Sequence, residues 1–163
     1  MSIVVSDTSP IRAFGHLGLI DLLCELYEEV LIPPAVDAEL RDPAWELETV
    51  DVRAFSFIRI QAPADREQVD RFRTFLDAGE SEALALALEV HAGLVLIDEA
   101  AGRAAVSQLG FVPVGVLGSL ARAKEKGLLG AIAPLIDRLQ NEIRFFVSPK
   151  LRTAVLQSVG ELP

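Results

Sequence analysis

Cysteine is almost absent: Cys24 is the sole thiol in 163 residues. One thiol cannot close a disulfide within the chain, which fits a reducing cytoplasm. Cys24 lies in the apolar pattern Leu19, Ile20, Leu22, Leu23 and Leu26, so it reads as a core thiol rather than a nucleophile. Histidine is equally scarce. His16 and His91 are too few for a histidine-built metal site or a triad. Aromatic residues make up 6% of the chain and do not alternate with basic ones, so no stacking platform for single strands is visible. Positive charge is in deficit: 15 Lys and Arg against 24 Asp and Glu leave a net charge of −9. That argues against broad nucleic-acid affinity but allows a local basic rim. No apolar run reaches the ~18 residues of a membrane span, and no charged-apolar-small leader opens the chain. Internal repeats, linkers and low-complexity tracts are missing too.

What is present is apolar and regularly patterned. Hydrophobic residues form 51% of the chain. A chain this long fits a single domain, here residues 1–163, and can bury roughly 70% of its unfolded surface. Short apolar runs at Ile3–Val5, Val30–Ile32, Phe57–Ile60, Leu94–Ile97 and Phe111–Val114 read as strands. Arg59 and Pro113 mark two of them as more exposed or edge strands. Between them lie helical patterns over Ile11–Phe14, Leu19–Tyr27, Ala35–Arg41, Arg66–Leu76 and Glu80–His91. Further helices are predicted over Ala100–Leu109, Leu117–Lys126, Ile132–Glu142 and Leu151–Val159, and a less regular one over Asp42–Ser56, carried by Trp45, Leu47, Val50 and Phe55. Strands alternating with helices predict a three-layer α/β/α fold around a parallel sheet. Residues 145–163 form an apolar segment that must pack on this domain or on a partner.

Four acids stand where this fold would collect them. Asp7 ends the first apolar run and Asp98 ends the clearest one, at the carboxyl ends of strands where open α/β sheets bind ligands. Glu39 shares a helix face with Val36 and Leu40, and Glu80 shares one with Ala83, Leu84, Ala87 and Leu88. Glu82 lies about 200° round the helix from Glu80 on a more polar face, so Glu80 is the choice and Glu82 the alternate. Glu99 is the alternate to Asp98. Three of the four have a plainer explanation: Asp7 and Asp98 as helix N-caps, Glu80 or Glu82 as an acid in a first helical turn. Together, however, four converging carboxylates repel unless some protonate or a hard cation sits among them. Mg²⁺ or Mn²⁺ suits such an all-oxygen set. Arg122, Lys124 and Lys126 make the densest basic patch, able to guide RNA or simply to solvate a helix face.

The stretches Val5-Ser6-Asp7-Thr8-Ser9-Pro10, Ile32-Pro33-Pro34-Ala35-Val36 with Glu39, Ala78-Gly79-Glu80-Ser81-Glu82-Ala83, and Leu96-Ile97-Asp98-Glu99 with Arg103 resemble a PIN-domain protein. The closest likeness is to the prokaryotic toxin-like branch. The resemblance implies a Rossmann-like parallel sheet and a Mg²⁺- or Mn²⁺-dependent endoribonuclease, the toxin of a toxin–antitoxin pair. It implies Asp7, Glu39, Glu80 and Asp98 as catalytic and metal-binding residues, with Ser9 as an auxiliary hydroxyl beside the first acid. Many relatives carry Asp at the third acid, where this chain has Glu. Arg103 is expected to pair with Glu80 or Asp98, or else to meet an RNA phosphate. RNA, a small antitoxin and a second copy in a homodimer are the expected partners. Two other classes compete: a catalytically silent interaction module and a phosphoacceptor or phosphatase domain taking phosphate on Asp7 or Asp98.

Overall fold

The computed structural model describes residues 2–43 and 48–163. Five parallel strands form one sheet in the order β3-β2-β1-β4-β5: β1 Val4–Ser6, β2 Val30–Ile32, β3 Ile58–Ile60, β4 Leu94–Leu96 and β5 Val112–Val114. The register pairs Val4 with Val30 on one side and with Leu94 on the other. Inner strands made only of apolar residues and a buried serine are what a sheet covered on both faces requires. The proline-bearing β5 and the arginine-bearing β3 occupy the two edges, where a missing N–H or an exposed charge costs least.

Alternation along the strands divides the core. Val4, Val30, Ile32 and Leu96 face a layer built from α1 (Thr8–His16), α2 (Ile20–Tyr27), α7 (Val116–Glu125), α8 (Ala133–Glu142) and α9 (Pro149–Ser158). Val5, Leu31 and Val95 face the other layer, made by α4 (Arg66–Phe72), α5 (Ala78–Glu89) and α6 (Ala100–Gln108). The helix α3 (Pro34–Arg41) packs against both α1 and α5, so it stands at the seam between the layers. This is the three-layer α/β/α arrangement that the alternating pattern predicts. Beyond β5, α9 packs on α7, and Val147 and Leu156 are buried in the first core. No helix among the described residues is long and apolar enough to cross a membrane.

The differences from the sequence reading are local. Ile3 is exposed and the first strand begins at Val4, with buried Ser6 as its last residue. The helix α1 starts at Thr8, two residues before Pro10, because proline suits any first-turn position whose N–H has no partner. The segment 77–79 does not merely end a helix. Asp77 caps α5, and Ala78 and Gly79 belong to its first turn. Trp45 and Leu47 lie outside the described residues. Of the remainder of the helix expected over 42–56, only a 3₁₀ turn at Val52–Ala54 forms, with its amide end capped by Asp51. Cys24 is half-buried at the rim of the core.

The C-terminal end is tied down by a charge. The Glu161 carboxylate accepts hydrogen bonds from the Ile132 and Ala133 amides at the start of α8, at 2.8 and 3.0 Å, and from Lys124 at 2.8 Å. Burial alone would raise its pKa, but the Ile132 amide, the Lys124 ammonium and the Ala133 amide together bring it down to about 2. Glu161→Ala is therefore expected to lower unfolding free energy by about 2 kcal/mol in urea titrations at neutral pH. Because the folded pKa is depressed, the difference from wild type holds above the unfolded value and shrinks as pH falls toward about 2. A mutant as stable as wild type at pH 7 would show that the C-terminal tail is held by apolar packing alone.

Candidate active site

The sheet order reverses direction between β1 and β4, and ligands of open parallel sheets bind at such a switch point. Two acids end up there. Asp7 follows β1 directly, its amide bonded to the Leu96 carbonyl at 2.9 Å. Asp98 follows the β4 run two residues later, just past Ile97, whose amide bonds Val114. Asp7 occupies the N-cap position of α1, yet its side chain makes no capping hydrogen bond and is only 4% exposed. Burial pushes its carboxyl well above the usual range, the Thr8 amide draws it back, and the charges of Asp77, Glu80 and Glu39 add to the rise.

Glu39 reaches the same place from α3. Thr8 Oγ1 donates to its carboxylate, and the buried Arg12 guanidinium holds its backbone carbonyl. The closest approach is to the first turn of α5. A Cβ on Gly79 would fall 2.9 and 3.0 Å from the Glu39 carboxylate oxygens and 3.2 Å from Asp7 Oδ1. Glycine lets the helix backbone sit against two carboxylates at once.

Glu80 is one position further on and 5% exposed. It forms a capping box with Asp77: the Glu80 amide donates to Asp77 Oδ1 at 2.8 Å, and the Asp77 amide donates to Glu80 Oε1 at 3.3 Å. That leaves Oε2 buried with no hydrogen-bond partner, lying against α6, where a Cβ on Gly102 would come within 2.6 Å of it. Burial, then the bond and charge of Asp77, lift the Glu80 carboxyl to about 7, with the Glu99 charge adding to the rise. Asp98 is divided in the same way. Its Oδ1 accepts from the Val116 amide at 3.0 Å, at the start of α7, while Oδ2 is buried and unpartnered. Burial lifts its pKa to about 6 against the opposing Val116 amide and Arg103 charge, and Glu99 adds to the rise.

These acids form a chain rather than a cage. Glu39 and Glu80 both act on Asp7, and Glu99 acts on both Glu80 and Asp98. Among the described residues no group of three or more acidic, histidine or cysteine side chains is arranged to hold a metal ion. The donor chemistry nevertheless suits a hard cation: all-oxygen, strongly anionic, and with two buried oxygens still lacking a partner. Mg²⁺ commonly takes only one or two carboxylates and keeps its remaining waters, so a chain of pairs is sufficient.

Glu82 is directed elsewhere. Its Oε1 accepts from the Ala35 amide at the start of α3, at 3.2 Å, and its Oε2 lies 3.6 Å from Arg66. Glu99 is exposed, and as the N-cap of α6 it makes no side-chain capping bond. Ser9 lines a cleft with Asp98, but Thr8 is the hydroxyl bonded to an acid. Arg103 forms no ion pair with Glu80 or Asp98. It donates to the Ile97 carbonyl at 3.0 Å and acts on Asp98 through its charge. The basic patch is partly spoken for: Lys124 pairs with Glu161, and Arg122 lies over the Tyr27 ring at 5.7 Å. Sequence reasoning missed Asp77 and Thr8. Asp77-x-x-Glu80 is a capping-box spacing and could have been read as one.

The raised carboxyls make a pH prediction for the metal-free protein. A folded pKa above the unfolded one gives stability that is full below the unfolded value and drains as pH rises through the folded value. For Asp98 and Glu80 that drain runs from the ordinary carboxyl range up to about 6 and about 7, respectively. In EDTA, Glu80→Gln should show a smaller fall in Tm between pH 5 and pH 8 than wild type, read by thermal melts. Parallel curves would mean that Glu80 is not a buried, destabilised acid.

A family model described as a PIN domain matches residues 3–161. No curated protein matches the chain. With the parallel sheet, its switch point and the acids gathered there, the match over nearly the whole sequence places the chain in the PIN-domain family, whose fold is of the nuclease type.

Proposed function

We propose that the protein is a Mg²⁺- or Mn²⁺-dependent endoribonuclease, with Asp7, Glu39, Glu80 and Asp98 as the carboxylates that hold the ion. The observation that carries this reading is the pair of unpartnered oxygens, Glu80 Oε2 and Asp98 Oδ2, buried in the chain of acids that runs from Asp7 to Asp98. A buried polar atom without a partner is rare and destabilising unless something binds it. Bound there, a divalent cation would lower the pKa of a coordinated water and offset the charge gathering on a phosphodiester in transition.

The chain's own residues supply the rest. Thr8 and Arg12 fix Glu39 so that its carboxylate faces Asp7 across Gly79. Asp77 holds Glu80 by one oxygen and leaves the other free. The Val116 amide does the same for Asp98. Arg103, fixed by a single bond to Ile97, lines the cleft with donors to spare for a phosphate. The resemblance of the motifs supports a toxin role with a small antitoxin partner. Exposed apolar side chains such as Phe75 and Val112 would be covered by that partner or by a second copy.

Glu80→Gln and Glu82→Gln separate this reading from its nearest rival, since each removes one charge at nearly constant shape. In Mn²⁺ titration calorimetry and in cleavage of a mixed RNA pool, Glu80→Gln should lose at least roughly 10-fold. Glu82→Gln should match wild type, because a glutamine oxygen still accepts from Ala35. Loss of Mn²⁺ binding in Glu82→Gln alone would move the third acid to position 82. Absence of any metal-dependent cleavage by wild type would favour the silent interaction module.

A further inference from the structure

The cleft that starts at Asp98 and Arg103 extends well beyond the acids. It has a volume of about 1030 Å³ and is bounded by a wall formed by the segment between α8 and α9, including Arg144 and Phe146, and by Leu151 of α9. Along that segment Phe145 and Val147 pack on the core, while Phe146 between them is 86% exposed. A lone exposed phenylalanine needs no explanation. Its neighbour does.

Arg144 has φ +55°, in the left-handed region that strains any residue with a Cβ. The turn it makes lets the Phe145 amide reach the Leu139 carbonyl at 2.9 Å and closes the end of α8. After α1, α6, α7 and α9 the comparable positions are glycines, Gly18, Gly110, Gly127 and Gly160, while Glu28 and His91 take the same left-handed conformation after α2 and α5. Here an arginine stands instead, and among the described residues its guanidinium has neither a hydrogen bond nor an ion pair. Of these three strained side chains, Arg144 is the one in the lining of the cleft with Asp98 and Arg103, where a use outside the fold would offset its strain.

We propose that this wall is a nucleotide subsite for single-stranded RNA: an unpaired base stacks on Phe146, and an adjoining phosphate is held by the Arg144 guanidinium. The strand then runs along the cleft past Arg103 to Asp98. The proposal rests on the nuclease reading of the acid chain and adds where on this chain a nucleotide beyond the acids is gripped. Stacking needs an exposed base face, which a duplex hides. In a chain with a net charge of −9, Arg103 and Arg144 are the cleft features that draw a phosphate, since the third cleft-lining arginine, Arg12, is bonded to the Glu39 and Glu48 carbonyls. A protein helix would call for a continuous apolar strip, and here Arg103 and Arg144 interrupt the apolar lining.

The test compares wild type, Phe146→Ala and Arg144→Gly. Fluorescence anisotropy in EDTA measures binding of a labelled oligouridylate of about eight nucleotides, the span of one small single-strand site, and of a duplex of the same length. Phe146→Ala should weaken single-strand binding at least about fivefold, the low end for one base stack, with its salt dependence unchanged. Arg144→Gly should weaken it too, lower the slope of log K against log salt by about 0.7, and keep or raise Tm, since glycine suits the left-handed position. With Mn²⁺ present, the losses should appear in KM more than in kcat. If wild type cuts RNA and both variants keep its KM, the subsite is refuted and the nuclease reading stands. If wild type neither binds nor cuts RNA, both fail together. Variants that keep RNA affinity but lose self-association on sedimentation would assign the wall to a second copy and overturn the proposal.

Discussion

A carboxylate buried at the end of a parallel strand loses its water, and in this protein several such acids lie close together, with the Arg103 charge offsetting part of that loss at Asp98. Asp7 and Asp98 sit past the two central strands, where the sheet order reverses. Glu80 enters from the first turn of α5 and Glu39 from α3. Burial is the largest cause of the raised pKa at Asp7, Glu80 and Asp98 alike, with mutual repulsion adding to it. Removing one such group from water costs far more than a surface ion pair returns. The arrangement is therefore costly as a structural device and reasonable as a cation site.

The surrounding structure can be understood as keeping that site open. Gly79 and Gly102 bring two helix backbones against carboxylate oxygens that any Cβ would displace. Asp77 and the Val116 amide each satisfy one oxygen of an acid and fix its direction, while the second oxygen stays free. Thr8 and Arg12 do for Glu39 what a lone side chain on a helix at the seam could not do for itself. Away from the site, charges find partners in the ordinary way: Asp37 with Arg41 and Arg53, and Glu161 with Lys124. The contrast with the unpartnered oxygens at the switch point is what gives those oxygens their meaning.

Much of this could be read from the residues before any coordinates. Short apolar runs separated by amphipathic helices specify a parallel sheet strongly, because both strand faces must be buried, and all five runs became strands. Pro113, which lacks a donor, points to an edge strand, and the charge of Arg59 points to a more exposed one; both strands lie at the sheet edges. The helix-face argument that separated Glu80 from Glu82 agrees with where the two side chains lie, since a 100° step per residue holds wherever the helix is regular. The failures were of another kind. Of the two roles expected for Arg103, an ion pair with Glu80 or Asp98 does not form, and the side chain bonds the Ile97 carbonyl while its charge acts on Asp98, because the direction of a long side chain depends on tertiary neighbours. Phe146 gave no sign of exposure beside Phe145 and Val147, because the left-handed turn at Arg144 resets which side chains face inward. Backbone strain of that sort has no signature in composition or periodicity.

The central claim is that the chain of acids exists to hold a hard cation. A crystal soaked in Mn²⁺ and measured at a wavelength with strong manganese anomalous scattering tests it most directly. The account predicts a peak at the carboxyl ends of β1 and β4, in contact with Asp7 and with at least one of Glu80 Oε2 and Asp98 Oδ2. A map with manganese bound elsewhere and none at the switch point would contradict it, and the buried acids would then need a different explanation.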